Sequence, residues 1–512
     1  MPSLCAYLAA AAGLASLAHA VDAPAPKVVG FDIAKSRRRA LANLARRNLA
    51  RRDTVSATLA NYRSLYQINV TVGTPGQRIG LQIDTGSSDV WFPYAASVQC
   101  TEGGCESAFD PESSSTFEDI GKGEFQIQYV DGTQITGDYI RDVLAIGDTQ
   151  IRNMTMAVAT DADDTPEGIM GVGFIQDETL AQQENITYPN VPVQLVNQGF
   201  INTIAYSLWL NDLDSSTGNV LFGGVDSDKY QGDLIGLPIQ PDSQSGTITS
   251  FTVAMSSINV KAKGGNSVYS QTNLDLPAIL DSGTTLSLLP DDIANAIIQG
   301  VGARPTRDYG YVVNCNIGTT GAAIEFGFGG SDGPTISVGM DEMVLPLTDE
   351  EGNPARFRAS GEEACTFGIE PAGNDPILLG DTFMRSAYVV YDLHNNQIAL
   401  ANTKFNATSS NVQEITNTTI PGVSKVASGL TVTQTATGPI RASGARKTGT
   451  ATETAAPGTG TFDLGASSST GGSSEKGAAV GLPAPRIALE TVMCGVAVAI
   501  SAMFGGSLMI LL

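Results

Sequence analysis

Leu81-Gln82-Ile83-Asp84-Thr85-Gly86-Ser87-Ser88 and Ala278-Ile279-Leu280-Asp281-Ser282-Gly283-Thr284-Thr285 follow one plan, an apolar run closing on Asp-(Thr/Ser)-Gly-(Ser/Thr). Alone, such a run is an Asp-led turn at a strand end and a weak signal. Each copy has a follower. Gly168-Ile169-Met170-Gly171-Val172-Gly173 sets Gly171 87 residues after Asp84, and Ile377-Leu378-Leu379-Gly380 sets Gly380 99 residues after Asp281. Two halves carrying the same parts in the same order imply a duplicated unit facing its twin.

Outward from the first copy, Tyr66 to Val72 alternates apolar and polar, Gly73-Thr74-Pro75-Gly76 turns, and Arg78 to Ile83 returns. That is a hairpin delivering its second strand into Asp84. From about Asn61 to Phe405 the chain continues as short β-branched and aromatic runs broken by Gly-rich turns. The clearest helix is Asp291 to Gln299, behind Pro290.

Two facing aspartates have a chemistry of their own. Like charges a few ångströms apart resist joint ionisation, so the pair shares one proton. The ionised member can take a proton from water while the protonated one donates to a carbonyl oxygen. Activity should peak in acid and fade toward neutrality. The glycines would let the two backbones approach closely. Thr85 and Ser282 can bond to the opposing loop, and Ser87 and Thr284 can orient the outer carboxylate oxygens. No metal, cofactor or histidine is required. The chain has two histidines, His19 in a leading apolar run and His394 in an Asp392–Asn396 turn, which argues against histidine-based hydrolysis.

Residues 62 to about 405 resemble the pepsin-like aspartic proteases. The resemblance rests on Asp84-Thr85-Gly86-Ser87 with Trp91 beyond it, on Asp281-Ser282-Gly283-Thr284, and on Ile377 to Phe383 running into Tyr388-Val-Val-Tyr-Asp392. It implies an all-β, bilobal fold with two pseudo-symmetric β lobes and the active-site cleft between them. It also implies a catalytic pair, Asp84 and Asp281, and protein or peptide substrates. Tyr129 then resembles the tyrosine of the flap, a hairpin closing over substrate, with Trp91 as its hydrogen-bond partner. Val130 departs from the pattern, standing where a flap glycine is usual, and a bulkier residue there would stiffen the tip or narrow adjacent subsites. Asp131 is either a turn-forming Asp-Gly residue or, as in fungal relatives, a carboxylate favouring Lys or Arg before the cut bond. A broad hydrophobic preference is the alternative specificity, and a catalytically silent, tethered binding glycoprotein the alternative function.

The 52 Asp and Glu against 29 Lys and Arg give a net charge of -23, which argues against nucleic acid. Residues 1–20 end in Ala18-His19-Ala20 and read as a signal peptide. Residues 21–52 carry Arg37-Arg38-Arg39, Arg46-Arg47 and Arg51-Arg52, which suggests a propeptide cut after Arg52 that can lie over a carboxylate-lined cleft. Lobes are expected over 53–240 and 241–405, and a Ser/Thr/Gly-rich disordered stalk over 406–476. Residues 477–512 read as a GPI-anchor signal with attachment at Gly477; a transmembrane helix is the competing reading. Cys100, Cys105, Cys315 and Cys365 are the exported cysteines. Four allow three pairings, and pairing Cys100 with Cys105 and Cys315 with Cys365 keeps each bridge local. Sequons stand at Asn69, Asn153, Asn185, Asn406 and Asn417. One chain supplies both aspartates, so a monomer is expected. Leader, dibasic site, body, stalk and tail together resemble the fungal yapsin type of surface protease.

Overall fold

The computed structural model describes residues 27–38, 59–60, 63–130, 132–162, 167–242, 245–306, 309–349, 353–427, 429–432 and 460–465. The hairpin at its centre forms as its alternation dictates. Tyr66, Ile68, Val70 and Val72 point inward and are at most 2% exposed, while Asn69 faces out. Gly73 makes the turn at φ 85°, where only glycine is unstrained. The strand Gln77–Asp84 returns antiparallel, with Ile68 opposite Leu81.

Beyond the hairpin the duplication becomes geometry. Leu81–Asp84 pairs in parallel with Gly168–Gly171, and Ala278–Leu280 pairs in parallel with Ile377–Leu379. Each follower is therefore the strand beside its aspartate, although 87 or 99 residues separate them in sequence. The follower glycines are forced by proximity. A Cβ on Gly171 would lie 2.6 Å from the backbone of Ser88, and one on Gly380 2.4 Å from the carbonyl oxygen of Thr284.

The first aspartate ends a strand of a 14-stranded sheet, and the second directly follows a strand of a seven-stranded one. These are the two halves of a pepsin-like fold. The larger sheet draws on both ends of the chain, because Ala387–Asp392 pairs with Ala205–Trp209, and Gln397–Thr403 with Tyr230–Pro238. The helix runs Asp291–Val301, with Ile293, Ala294, Ile297 and Ile298 on its buried face and Gly302 closing it in the left-handed conformation. Disulfides join Cys100 to Cys105 and Cys315 to Cys365, the local pairing.

Two stretches at the chain ends are built into the body. One is residues 29–38 of the basic leader. They form a strand between Arg63–Gln67 and Thr217–Phe222, with Ile33 fully buried. The apolar alternation around Ile33 outweighs the flanking arginines. The stalk, in turn, does not begin at Asn406. Val412–Glu414 pairs with Gly224–Asp226, Val423–Val426 pairs with Leu234–Gly236, and Ile415 and Ile420 are buried. A few well-spaced apolar residues anchor a stretch whose composition is that of a linker. The signal peptide, the dibasic site at Arg52, Gly477 and the apolar tail all lie outside the described residues.

Candidate active site

The two Asp-x-Gly loops meet at a pseudo-twofold axis and hold one another. The Thr85 hydroxyl donates to the Leu280 carbonyl at 2.9 Å and accepts from the Ser282 amide at 2.9 Å. The Ser282 hydroxyl does the same in reverse, donating to the Ile83 carbonyl at 2.9 Å and accepting from the Thr85 amide at 3.2 Å. All four residues are buried, so no water competes for these bonds. One sequence-invisible member joins them: Gln82 donates from Nε2 to the Gly283 carbonyl at 3.0 Å. Gln77 and Arg78 are polar on the same strand, so nothing in the sequence singles Gln82 out.

Each carboxylate is held at both oxygens. For Asp84, Oδ1 accepts from the Gly86 amide at 2.8 Å and Oδ2 from the Ser87 hydroxyl at 2.5 Å. For Asp281, Oδ1 accepts from the Gly283 amide at 2.8 Å and Oδ2 from the Thr284 hydroxyl. The inner oxygens converge. A Cβ added to Gly283 would stand 2.2 Å from Oδ1 of Asp84 and 3.1 Å from Oδ1 of Asp281. Burial first, and then the facing Asp84 charge, push Asp281 well above the usual carboxylate range, against the pull of Thr284 and Gly283.

The hairpin of Glu118–Gln128 and Gln134–Ile146 carries Tyr129 at its end. Its turn is closed by the Tyr129 amide donating to the Thr133 carbonyl, with Gly132 at φ 87°. Trp91 donates from Nε1 to the Tyr129 hydroxyl at 2.8 Å, so the expected pair is in place. Val130 packs against Ile279, Leu288, Ala372 and Leu378, all on the half that carries Asp281. Asp131 lies outside the described residues.

The profile of the eukaryotic aspartyl protease family matches residues 65–403. The chain belongs to that family. It is 41% identical over 407 residues to the probable aspartic-type endopeptidase opsB of Aspergillus fumigatus, covering 78% of this chain and 80% of that one. It is 37% identical over 369 residues to secreted aspartic protease 8 of Candida albicans, covering 70% and 81%. To an acid protease of Saccharomycopsis fibuligera it is 35% identical over 368 residues, covering 70% and 87%. The protein is an aspartic-type endopeptidase of the pepsin-like family.

Sequence reading missed the acids behind the first loop. Asp89, fully buried, accepts from the Tyr188 hydroxyl at 2.6 Å, the Thr179 amide at 2.9 Å and the Tyr139 hydroxyl at 3.2 Å. Beside it Asp177 and Glu178 are also buried. Burial raises all three, Glu178 to about 9, with the neighbouring acid charges adding to the rise in Asp177 and Glu178. Nothing marked Asp89 as an interior acid, because its tyrosine and threonine partners stand 50 to 99 residues away.

Proposed function

We propose that Asp84 and Asp281 hydrolyse peptide bonds through a water held between their inner oxygens, in an enzyme that works at acidic pH. The observation that carries this is the convergence of both Oδ1 atoms beside Gly283. The pair holds one proton, and burial with the Asp84 charge favours its residence on Asp281. Asp84, ionised, takes the water proton as oxygen attacks the carbonyl carbon. Asp281 gives its proton to the carbonyl oxygen; on collapse of the tetrahedral species the C–N bond breaks, Asp84 passes its proton to the leaving amine, and a hydroxyl of the new carboxyl group returns a proton to Asp281. Thr85 and Ser282 position the loops, Ser87 and Thr284 the carboxylates, and Tyr129 with Trp91 the flap.

The enzyme is exported and held at the outer face of the plasma membrane or cell wall by a GPI anchor, as a monomer with glycans on its sequons. In support, Asn69, Asn153, Asn185, Asn406 and Asn417 are all exposed, and both disulfides suit an oxidising compartment. Among the described residues no helix is long and apolar enough to cross a membrane. The Asp131 carboxylate would pair with a Lys or Arg side chain before the cut bond. A hydrophobic preference is the second reading, favoured by the apolar cluster under Val130.

The test is peptide cleavage by the secreted chain across pH 3 to 7, beside an Asp281→Asn variant and with a statine-type inhibitor. Acid-favoured cleavage lost in the variant and blocked by the inhibitor is expected. Equal cleavage by the folded variant would overturn the assignment. Cut sites lacking Lys and Arg would remove the basic preference.

A further inference from the structure

Within the Ser/Thr-rich tail one short stretch is docked on the body. Gly460-Thr461-Phe462-Asp463-Leu464-Gly465 lies against the C-terminal end of the helix Asp291–Val301 and the turn at Lys263. Its exposure alternates: Thr461 and Asp463 face solvent, Phe462 is half-buried and Leu464 is 8% exposed. The Phe462 ring sits 6.1 Å from that of Tyr269, and both apolar side chains join the main hydrophobic core.

The backbone is fixed as well. The Phe462 amide donates to the Gly300 carbonyl at 2.9 Å, one of the helix-end carbonyls that no helical amide can reach. The Lys263 amide donates to the Leu464 carbonyl at 3.2 Å. Both faces of the contact are cut to fit. A Cβ on Gly300 would fall 2.1 Å from the Phe462 ring, and one on Gly460 would fall 2.6 Å from the Gly300 carbonyl oxygen. Glycine is the residue that permits this approach from either side.

We propose that residues 460–465 are a clip, an aromatic-and-leucine docking motif whose receptor is the niche formed by Gly300, Tyr269 and Lys263. The niche is a peptide-binding site separate from the catalytic loops, and its occupant is the chain's own tail. Its consequence for reach rests on the anchored reading proposed above. If Gly477 carries the anchor, the span that sets the reach is twelve residues counted from Gly465 rather than forty-five counted from Val432. Fully extended, that is about 40 Å instead of about 150 Å. The clip would hold the catalytic body near the surface to which it is attached.

Hydrogen exchange on the full secreted chain tests the docking without reference to the anchor. In the wild type the amides of Lys263 and Phe462 should exchange at least about tenfold slower than in a Phe462→Ala variant. Gly300→Ala should release the clip in the same way. Alanine is the better helix former at that position, so release cannot be ascribed to a weakened helix. Thr461→Ala, at an exposed position, should match the wild type, and peptide cleavage should be unchanged in all three. Wild-type exchange of 460–465 at unstructured-peptide rates would overturn the proposal, as would equal Lys263 exchange in wild type, Phe462→Ala and Gly300→Ala. Release from cells by a phosphatidylinositol-specific phospholipase tests the anchor separately. Its failure would remove the reach argument and leave the docking result standing.

Discussion

Gly283→Ala adds one methyl group to the catalytic loop. The backbone there is not left-handed, so alanine meets no conformational objection. The new carbon would lie 2.2 Å from Oδ1 and 2.7 Å from Cγ of Asp84. Ordinary contact begins at about 3.4 Å, so the carboxylate must retreat by a little over about 1 Å. It cannot do so freely, because the Gly86 amide holds Oδ1 at 2.8 Å and the Ser87 hydroxyl holds Oδ2 at 2.5 Å. A displacement of about 1 Å in a reacting group costs about 100-fold, or about 2.7 kcal/mol of transition-state stabilisation. The strain on the folded state is about 1–3 kcal/mol, small enough to leave the protein folded. We therefore expect kcat/KM for a fluorogenic peptide at pH 4 to fall at least about 100-fold, with circular dichroism unchanged and the melting temperature a few degrees lower. A variant within threefold of wild type, melting at the wild-type temperature, would refute the reasoning. It would show that the two carboxylates do not converge at this glycine, or that their convergence does not matter.

Trp91→Phe removes the indole N–H that reaches the Tyr129 hydroxyl at 2.8 Å; kcat/KM should fall about tenfold, read by peptide hydrolysis, and melting should drop by a few degrees because the smaller ring leaves a cavity where the buried indole stood. Val130→Gly frees the flap from Ile279, Leu288, Ala372 and Leu378, so a peptide library should show relaxed selectivity and gains for bulky side chains; an unchanged profile would count against the contact. The buried acids Asp89, Asp177 and Glu178 have raised pKa values in the folded state, so folding binds protons and stability is greatest below the ordinary carboxylate range. It should fall as pH rises from about 4.3 towards about 9. Melting from pH 4 to 8 should show this decline, and Glu178→Gln, which keeps an acceptor for the Tyr188 amide, should flatten it.

Both aspartates were legible because their chemistry demands a local motif, and the motif comes twice. The followers were legible as a repeated order, while the reason for Gly171 and Gly380 appears only when the neighbouring strand presses against them. The helix was legible because one face repeats at helical spacing and Pro290 precedes it. What escaped was held together over long sequence distances. Asp89 looks like any loop acid until Tyr188, Tyr139 and Thr179 close around it. Arg385 and Glu342, which pair fully buried, are 43 residues apart and neither stands in a motif. The tail misled through composition: Ile415, Ile420, Phe462 and Leu464 are few, but each fills a site on the body.

The leader strand Val29–Arg38 is bonded on both flanks, six residues in register with Thr217–Phe222 and five with Arg63–Gln67. The two ladders share only Ala34, so each half of the strand is held from one side, and the segment leaves only after both halves have let go. Cutting the chain after Arg52 would therefore separate covalent identity from physical identity. A denaturing gel would count two fragments where a gel-filtration column counted a single particle, and the second fragment would leave only when both of its ladders had opened.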